Sequence, residues 1–598
     1  MSSIPRPEYP RMQFRREDSW LNLNGEWRCR FDFGKTGVER SWQEKTDAYD
    51  RTILVPFCPE STLSGIGYTD FIESIFYARH FTIPAEWAGK TVLLHFGAVD
   101  YAATVWIDGR EAGRHQGGSA SFTFDITAFA RPGVEQTVVV HALDELRSGC
   151  QGGGKQSYGP YSAGCHYTRV TGIWQTVWLE AVDPAALASC RITPGADAGV
   201  FALEPRFRLD RRGFTFTAIL SAEGRELTRV TVPAATGVPV TVPVPSPRLW
   251  CPSDPFLYDF VFEVRNENGG LIDRVESYAG LRKVHIEGNM VYLNNEPVFQ
   301  RLVLDQGFYP DGIWTAPSDA ALKRDIELSL EAGFNGARLH QKVFEERYFY
   351  WADKLGYLTW GEYPSWGLDW HLPEARYRYL EEWLEVISRD VNHPSIVAWS
   401  PLNESAHPSP ETLAIAYPDQ ATLERYRTFV RNIYDRTKCF DPTRPVNDSS
   451  GYIHAKTDLW TVHPYRATAA ELKAALRPAD SEVMAHAPKH ECAYTGQPYI
   501  VDEWGGFKFI PESHRKTAQA GWGYHGLDLK TPEELCAKIE EQVDVMIADP
   551  GIAGYCYTQL TDVEQEENGV YCYDRTPKVP GGDLKRIFGK KPAWDKTK

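Results

Sequence analysis

The sequence predicts a multidomain protein in which two β-sandwich domains precede a (β/α)8 barrel. The chain has 598 residues, whereas single hydrophobic cores stop growing beyond roughly 250–300 residues. Its first half consists of short alternating runs separated by turn residues, which is typical of antiparallel sheets. Its second half alternates apolar strand-like runs with amphipathic stretches, which is typical of a parallel sheet with helical connections.

Residues 1–183 carry the signature of a first β-sandwich. Two alternating runs are Thr91–Phe96 and Ala103–Ile107, and the second leads directly into Asp108-Gly109, a strong hairpin signal. Residues 184–283 predict a second, immunoglobulin-like sandwich of about a hundred residues. Its β-rich runs are Phe214–Leu220 and Val238–Val244, and Pro-rich joints flank them at Pro245, Pro247, Pro252 and Pro255.

Residues 284–598 predict the barrel. The candidate strands are Phe299–Leu304, Gly336–Leu339, Tyr357–Trp360, Ile396–Ser400, Val446–Ser449, Leu459–Val462, Tyr499–Asp502 and Gly554–Tyr557. The candidate helices are Asp319–Ala332, Glu345–Lys354, Leu423–Arg436 and Glu533–Ile547. Thr531-Pro532-Glu533-Glu534 before the last helix is a capping box with proline at the first helical position.

Composition excludes several classes of partner. A net charge of −16 disfavours nucleic acid and anionic membranes. The sequence has no run of the ~18 apolar residues that a membrane helix needs and no secretory signal at Met1–Phe14. The eleven cysteines form no Cys-x-x-Cys pair. We therefore expect a cytoplasmic protein with reduced thiols, and a homo-oligomer remains an open alternative.

Two glutamates follow predicted barrel strands, where barrel enzymes place their reacting groups. Glu404 follows Ile396–Asn403, and Glu503 follows Tyr499–Asp502. Strands four and seven face each other across a barrel mouth, so the two carboxyl groups can converge. Retaining glycoside hydrolysis needs such a pair at roughly 5–5.5 Å.

Longer motifs resemble glycoside hydrolase family 2, which includes β-galactosidases, β-glucuronidases and β-mannosidases. The run from Asp390 to Glu404 resembles the acid/base signature of that family. Leu23–Trp27, Val105–Gly109 and Gly172–Trp174 look like its sugar-binding, jelly-roll sandwich, and Gly280-Leu-Arg282 looks like its entry into the barrel. The resemblance covers essentially the whole chain.

The resemblance implies roles for individual residues. Glu404 would be the general acid/base and Glu503 the nucleophile of a retaining exo-glycosidase. Asn403 would bind the 2-hydroxyl group of the sugar, and Tyr465 would orient Glu503, with His463 beside it.

Further candidate substrate contacts follow other strands. Arg338 and His340 resemble the strand-two motif of the family, which implies direct contact with the substrate. Equal alternatives are a structural ion pair for Arg338 and a buried histidine with satisfied hydrogen bonds for His340. Asp305 contacts a sugar hydroxyl group or caps its loop. Trp504, directly after the nucleophile, is a further candidate substrate contact.

Departures from the family pattern bear on the sugar. Glu564–Gly569 stands where β-glucuronidases carry an Asn-x-Lys pair, and its acids would repel a uronate. We therefore predict a neutral terminal sugar, with β-D-galactosides first and with β-mannosides, α-L-arabinofuranosides, β-D-galactofuranosides or β-glucuronides as alternatives.

Two other function classes stay open, a non-catalytic carbohydrate-binding protein and a metal-dependent hydrolase. The second is disfavoured because the sequence has no His-x-His or His-Glu-x-x-His motif. No cofactor is predicted, although the resemblance leaves open a magnesium or sodium ion beside the acid/base.

Overall fold

The first sandwich is built from twelve strands. The computed structural model describes residues 4–405, 415, 417–476, 490–515, 521–527, 529–580 and 582–595. The strands of this sandwich are β1 Trp20–Asn22, β2 Gly25–Phe31, β3 Arg51–Val55, β4 Ser74–Thr82, β5 Thr91–Phe96, β6 Val99–Asp100, β7 Ala102–Ile107, β8 Arg110–Gln116, β9 Phe122–Asp125, β10 Glu135–Leu143, β11 Gly172–Ile173 and β12 Val177–Val182. They form antiparallel sheets of order β1-β12-β5-β9 and β3-β2-β4-β10-β7-β8, with a small β11-β6 pair.

The two large sheets bury one common core. Strand residues alternate between the faces of a sheet, and the inward set includes Trp27, Leu94, Val140 and Leu179, all buried. The predicted hairpin at Asp108-Gly109 joins β7 to β8, and both residues have positive φ angles of 49° and 77°, as such a turn requires.

The second sandwich follows with seven strands. They are β13 Leu187–Gly195, β14 Val200–Phe207, β15 Thr215–Ala222, β16 Arg225–Pro233, β17 Val240–Pro243, β18 Tyr258–Arg265 and β19 Leu271–Ala279. The sheets have the orders β13-β14-β17 and β16-β15-β18-β19. Phe201, Phe216 and Phe260 pack between them. The predicted immunoglobulin-like sandwich is confirmed, and a small sheet of β20 Val284–Glu287, β21 Met290–Leu293 and β22 Glu296–Pro297 leads into the barrel.

The barrel contains a curled parallel sheet of seven strands, of order β26-β25-β24-β23-β29-β28-β27. The strands are β23 Gln300–Asp305, β24 Gly336–Leu339, β25 Leu358–Glu362, β26 Ile396–Ser400, β27 Trp460–Thr461, β28 Tyr499–Gly505 and β29 Ile552–Thr558. The predicted fifth strand, Val446–Ser449, makes only isolated parallel bridges from Val446 to Trp399 and from Ser450 to Asn403. Side chains of this segment also bond to neighbouring strands, as Asn447 does to Asp502 and Thr461.

Seven helices are assigned within the described residues, and they cover the outer face of this sheet. They are α1 Asp319–Glu331, α2 Glu346–Leu355, α3 Pro373–Asp390, α4 Gln420–Phe440, α5 Ala469–Ala475, α6 Pro532–Ala548 and α7 Asp583–Phe588. The four predicted helices are confirmed, and both hydrogen bonds of the capping box at Thr531 are present. Sequence reasoning missed α3, α5 and α7. Within the described ranges, no helix is both long and apolar enough to cross a membrane.

Candidate active site

The two predicted carboxylates meet at the carboxyl end of the parallel sheet. Glu503 lies near the end of β28, and Glu404 lies four residues beyond β26. An oxygen of each carboxylate and a ring nitrogen of His463 all lie within 4.8 Å of one another. That separation is close to the roughly 5–5.5 Å of retaining glycosidases and well below the 6.5–9.5 Å of inverting ones.

Arg338, on β24, binds the carboxylate of Glu503, one member of this pair. Its side chain is completely buried, and its Nη1 donates to Oε1 of Glu503 at 3.0 Å. Its Nε donates to Oε2 of Glu362 at 2.7 Å, and Nη2 donates to Oδ1 of Asn403. The guanidinium group therefore ties β24, β25, β28 and the end of β26 together. Of the two alternatives predicted for Arg338, the ion pair is the one that the structure contains.

His463 bridges the two catalytic candidates. Its Nδ1 lies 2.7 Å from Oε1 of Glu404 and 3.5 Å from Oε2 of Glu503, and its Nε2 lies 3.2 Å from Oδ1 of Asp502. Burial alone would lower the pKa of His463, but Glu503 and Asp502 raise it to about 10. The ring is therefore a cation at neutral pH, placed among three carboxylates.

Glu503 is held in its ionised form. Burial alone would raise its pKa, but the positive charges of His463 and Arg338 lower it to about 2. The hydroxyl group of Tyr465 donates to Oε2 of Glu503 at 2.7 Å, which is the contact that the predicted orienting role requires. The Tyr465 ring stacks on Tyr524 with a centroid distance of 3.8 Å, so the hydroxyl group is fixed in place.

Glu404 and Asn403 lie in an irregular backbone segment. Glu404 has a φ of +44°, a left-handed conformation that is sparsely populated for residues other than glycine and is concentrated at functional sites. Its N–H donates to the carbonyl of Ser450 at 2.9 Å, which fixes this conformation. Nδ2 of Asn403 has no hydrogen-bond partner among the described residues, so the amide group can still donate to a sugar hydroxyl group.

Three other candidates take structural positions. Trp504 is completely buried and packs against Tyr555, Tyr557 and Phe588. The expected sugar contact is therefore corrected, because this aromatic cluster holds the indole ring in the hydrophobic core. Asp305 accepts the N–H of Gly307 at 2.9 Å, which is the loop-capping alternative.

His340 is the buried, neutral histidine of the second alternative. Its burial and the neighbouring charge of Arg338 lower its pKa well below the ordinary value. Its Nδ1 lies 3.0 Å from Nη2 of Arg338, so the neutral ring can accept that bond.

Sequence reasoning missed a contribution from the first sandwich. Residues 144–171 join β10 to β11, and we call them the sandwich loop. Its contacts reach barrel segments that follow β23, β25, β28 and β29. The N–H of Gly153 donates to Trp366 O at 2.7 Å, Tyr167 OH accepts from Gln306 at 2.8 Å, and Gly164 O accepts from Trp522 at 2.7 Å and from Gln565 at 2.8 Å.

Glycines allow this close approach. A Cβ atom on Gly152 would lie 2.2 Å from Pro364 O, and one on Gly154 would lie 2.4 Å from Gln341 O. Gly154 also has a φ of +56°, which favours glycine. The run Gly152-Gly-Gly-Lys155 is thus the sequence signal of the contact, and it delivers Lys155 to the site.

The carboxylate pair and His463 also bear on the metal ion that the resemblance to the family leaves open. Glu404, His463 and Glu503 are close enough to share an ion. Magnesium prefers oxygen ligands, whereas one of these three donors is a ring nitrogen. The same donor set fits proton transfer and nucleophilic attack, and the ion beside the acid/base stays a prediction.

Three segments match descriptions of one family. Residues 21–177 match "Glycosyl hydrolases family 2, sugar binding domain", residues 210–282 match "Glycosyl hydrolases family 2", and residues 316–578 match "Glycosyl hydrolases family 2, TIM barrel domain". Together they cover most of the chain in the order of its three structural units.

Individual relatives are more distant. A β-glucuronidase of Paenibacillus borealis is 25% identical over 453 residues, covering 71% of this chain and 72% of that protein. A β-galactosidase of Vibrio cholerae is 25% identical over 494 residues, covering 73% of this chain but only 44% of that protein. The crystal structure of the Ruminococcus gnavus β-glucuronidase superposes with a TM-score of 0.78 at 20% identity, over 98% of this chain and 100% of that one, which is a likeness of fold.

Arg338→Met should destabilise the barrel. The substitution leaves the carboxylate of Glu362 buried without its cation, and breaking a buried pair in this way costs about 3–5 kcal/mol. Thermal unfolding followed by circular dichroism measures the loss. Arg324→Met is the matched control, because Arg324 pairs with Glu331 on the surface and such pairs contribute about 0–1 kcal/mol. Equal shifts in the two variants would show that the Arg338 network does not stabilise the fold.

Proposed function

The chain belongs to glycosyl hydrolase family 2, and we propose that it is a retaining exo-glycosidase that releases a terminal non-reducing sugar. The observation that carries this proposal is the approach of Glu404 and Glu503 to within 4.8 Å. A carboxylate at that distance can attack the anomeric carbon while the other carboxyl group protonates the leaving oxygen.

The reaction proceeds in two displacements. Glu404 gives its proton to the glycosidic oxygen as Glu503 attacks, and the aglycone leaves with the formation of a glycosyl ester on Glu503. Glu404 then removes a proton from water, which attacks the anomeric carbon and restores the Glu503 carboxylate. Arg338 and Tyr465 each hold one oxygen of Glu503, so the nucleophile meets the anomeric carbon in a fixed orientation.

The sandwich loop supports exo action. It bonds to barrel segments after four different strands, including Trp366 and Trp522. A segment that crosses the mouth in this way would close one side of an open cleft. Such closure favours binding of the end of a sugar chain over binding along its length.

The identity of the sugar is the finer part of the proposal. β-D-galactosides remain the first prediction from the sequence, and the similar proteins named above are a β-galactosidase and two β-glucuronidases. A panel of 4-nitrophenyl glycosides, with neutral hexosides, furanosides and uronides side by side, decides among them.

Glu503→Gln should abolish turnover of every glycoside that the wild-type protein hydrolyses, because the amide cannot form the glycosyl ester. Release of 4-nitrophenol measures it. Glu381→Gln, which removes an exposed glutamate of α3, is the control and should keep wild-type rates. A Glu503→Gln variant with wild-type turnover would remove the nucleophile from the mechanism. A wild-type protein that binds sugars without hydrolysing any of them would favour the carbohydrate-binding alternative.

Glu404→Ala should discriminate between leaving groups. Loss of the general acid lowers kcat/KM by about 10²–10⁴-fold for alkyl glycosides. The 2,4-dinitrophenyl glycoside needs no proton on its leaving group and should lose much less in the first step. Stopped-flow release of dinitrophenol measures that step directly. An equal loss for both substrates would contradict the acid/base assignment.

His463→Asn should move the acidic limb of the pH profile to higher pH. The His463 cation helps to hold the pKa of Glu503 at about 2. Without it the pKa rises towards or above the ordinary value of about 4.3, so less nucleophile is ionised between those pH values. The pH dependence of kcat/KM for the free enzyme reports this ionisation. His80→Asn, on the first sandwich, is the control, and an unchanged acidic limb in His463→Asn would contradict the proposed charge coupling.

A further inference from the structure

Lys155 is a buried cation that has no hydrogen-bond or ion-pair partner in the part of the chain that the structure describes. It follows the three glycines of the sandwich loop, and the residue is only 5% exposed. Its Nζ lies 3.9 Å from the centre of the Trp366 ring, and no hydrogen bond or ion pair joins this ammonium group to a described residue. A lysine is rarely buried unless its charge is paired.

Two other buried lysines show what an internal lysine of this chain ordinarily does. Lys342 donates to the carbonyls of Gly307 at 2.6 Å and Trp314 at 2.7 Å. Lys578 donates to Asp562 at 2.6 Å and is almost completely buried. Both ammonium groups are fully engaged by the protein, whereas the contact of Lys155 is the face of an aromatic ring.

Trp366 places Lys155 beside the catalytic pair. The indole Nε1–H of Trp366 donates to the carbonyl of Asn403 at 3.1 Å, the residue before the acid/base. Burial alone would lower the pKa of Lys155, but Cys165 and the carboxylates of Glu566, Glu503 and Glu404 raise it. The side chain therefore stays charged near the carboxylate pair.

Glu564 and Glu566, two acids of the segment Glu564–Gly569, form their hydrogen bonds with groups other than the Lys155 ammonium. Glu564 accepts the N–H of Thr168 with both oxygens, at 3.0 and 3.2 Å. Glu566 accepts from the hydroxyl group of Tyr167 and from Asn568. Their hydrogen-bonding capacity is directed to the protein, which weakens the repulsion that the sequence predicts for an anionic sugar.

We propose that Lys155 is a specificity-determining residue of the sugar pocket, and that its ammonium group binds a carboxylate carried by the terminal sugar. The proposal rests on the proposed glycosidase function and names its substrate class, a uronide. A charge-assisted hydrogen bond to Lys155 would supply the partner that the protein itself does not. The aromatic face of Trp366 would hold the lysine stem in position for it.

The experiment compares substrates that differ only at C6. These are the 4-nitrophenyl pairs β-D-galacturonide with β-D-galactoside, and β-D-glucuronide with β-D-glucoside. The proteins are the wild type, Lys155→Met, Lys155→Arg and the control Lys90→Met, which removes an exposed lysine of the same sandwich. Thermal unfolding of each variant establishes that it is folded before kcat/KM is measured.

We expect Lys155→Met to lower kcat/KM for the better uronide about 10- to 100-fold, as for loss of a hydrogen bond to a charged group. Activity on the matched neutral glycoside should change far less, and Lys155→Arg should retain part of the uronide preference. An equal loss for both members of a pair would overturn the proposal, because a lysine that only balances the charge of Glu503 affects every substrate alike. A wild-type preference for the neutral member would also overturn it.

Failure of the proposed function gives a different result. If the wild type hydrolyses no glycoside, calorimetric titration with free D-galacturonate, D-glucuronate and D-galactose tests the lysine separately. Binding of a uronate that weakens in Lys155→Met would support Lys155 even then. Uronate binding that is absent, or equal in both proteins, would contradict it.

Discussion

The architecture of the site depends on one buried cation. Arg338 has no access to solvent, so each of its donors must find an acceptor within the protein. Those acceptors lie on Glu362, Asn403 and Glu503, which belong to different strands or strand ends. The cost of burying the guanidinium group is offset only when all of them converge. The same convergence places Glu503, the proposed nucleophile, near Glu404, and the geometry of the carboxylate pair and the stability of the barrel therefore depend on the same bonds.

A second cation, His463, lies between the two carboxylates. The imidazolium of His463 lies closer to Glu404 than to Glu503, at 2.7 and 3.5 Å, and it also contacts Asp502. Of the two carboxylates of the pair, Arg338 and Tyr465 bond to that of Glu503. Glu503 therefore accepts from two donors and stays ionised, while Glu404 sits on a strained backbone beside His463. Different environments for paired carboxylates are how acid and nucleophile roles are divided.

Local patterns predicted the fold and the catalytic pair, because strand periodicity, the capping box at Thr531 and the sequence around Glu404 are local signals. The fifth strand and Trp504 show where such signals mislead. The segment Val446–Ser449 makes only isolated bridges with its neighbour, and the Trp504 ring packs into the aromatic cluster of Tyr555, Tyr557 and Phe588. Helix α3 begins with Pro373 at its first position, and proline there is a local signal for the start of a helix.

Lys155 was beyond local prediction, since its contacts with the barrel join segments more than 200 residues apart. Three glycines followed by a lysine are typical of a flexible turn. Only the structure shows that Pro364 and Gln341 pack closely against Gly152 and Gly154. The barrel and the sandwich loop therefore face different physical constraints. The barrel strands must hold their carboxylates rigidly for bond cleavage, and this leaves little freedom to vary the pocket. On the proposal above, sugar recognition depends on Lys155 of the sandwich loop, whereas bond cleavage depends on carboxylates held by barrel strands, so the two tasks rest on different segments of the chain.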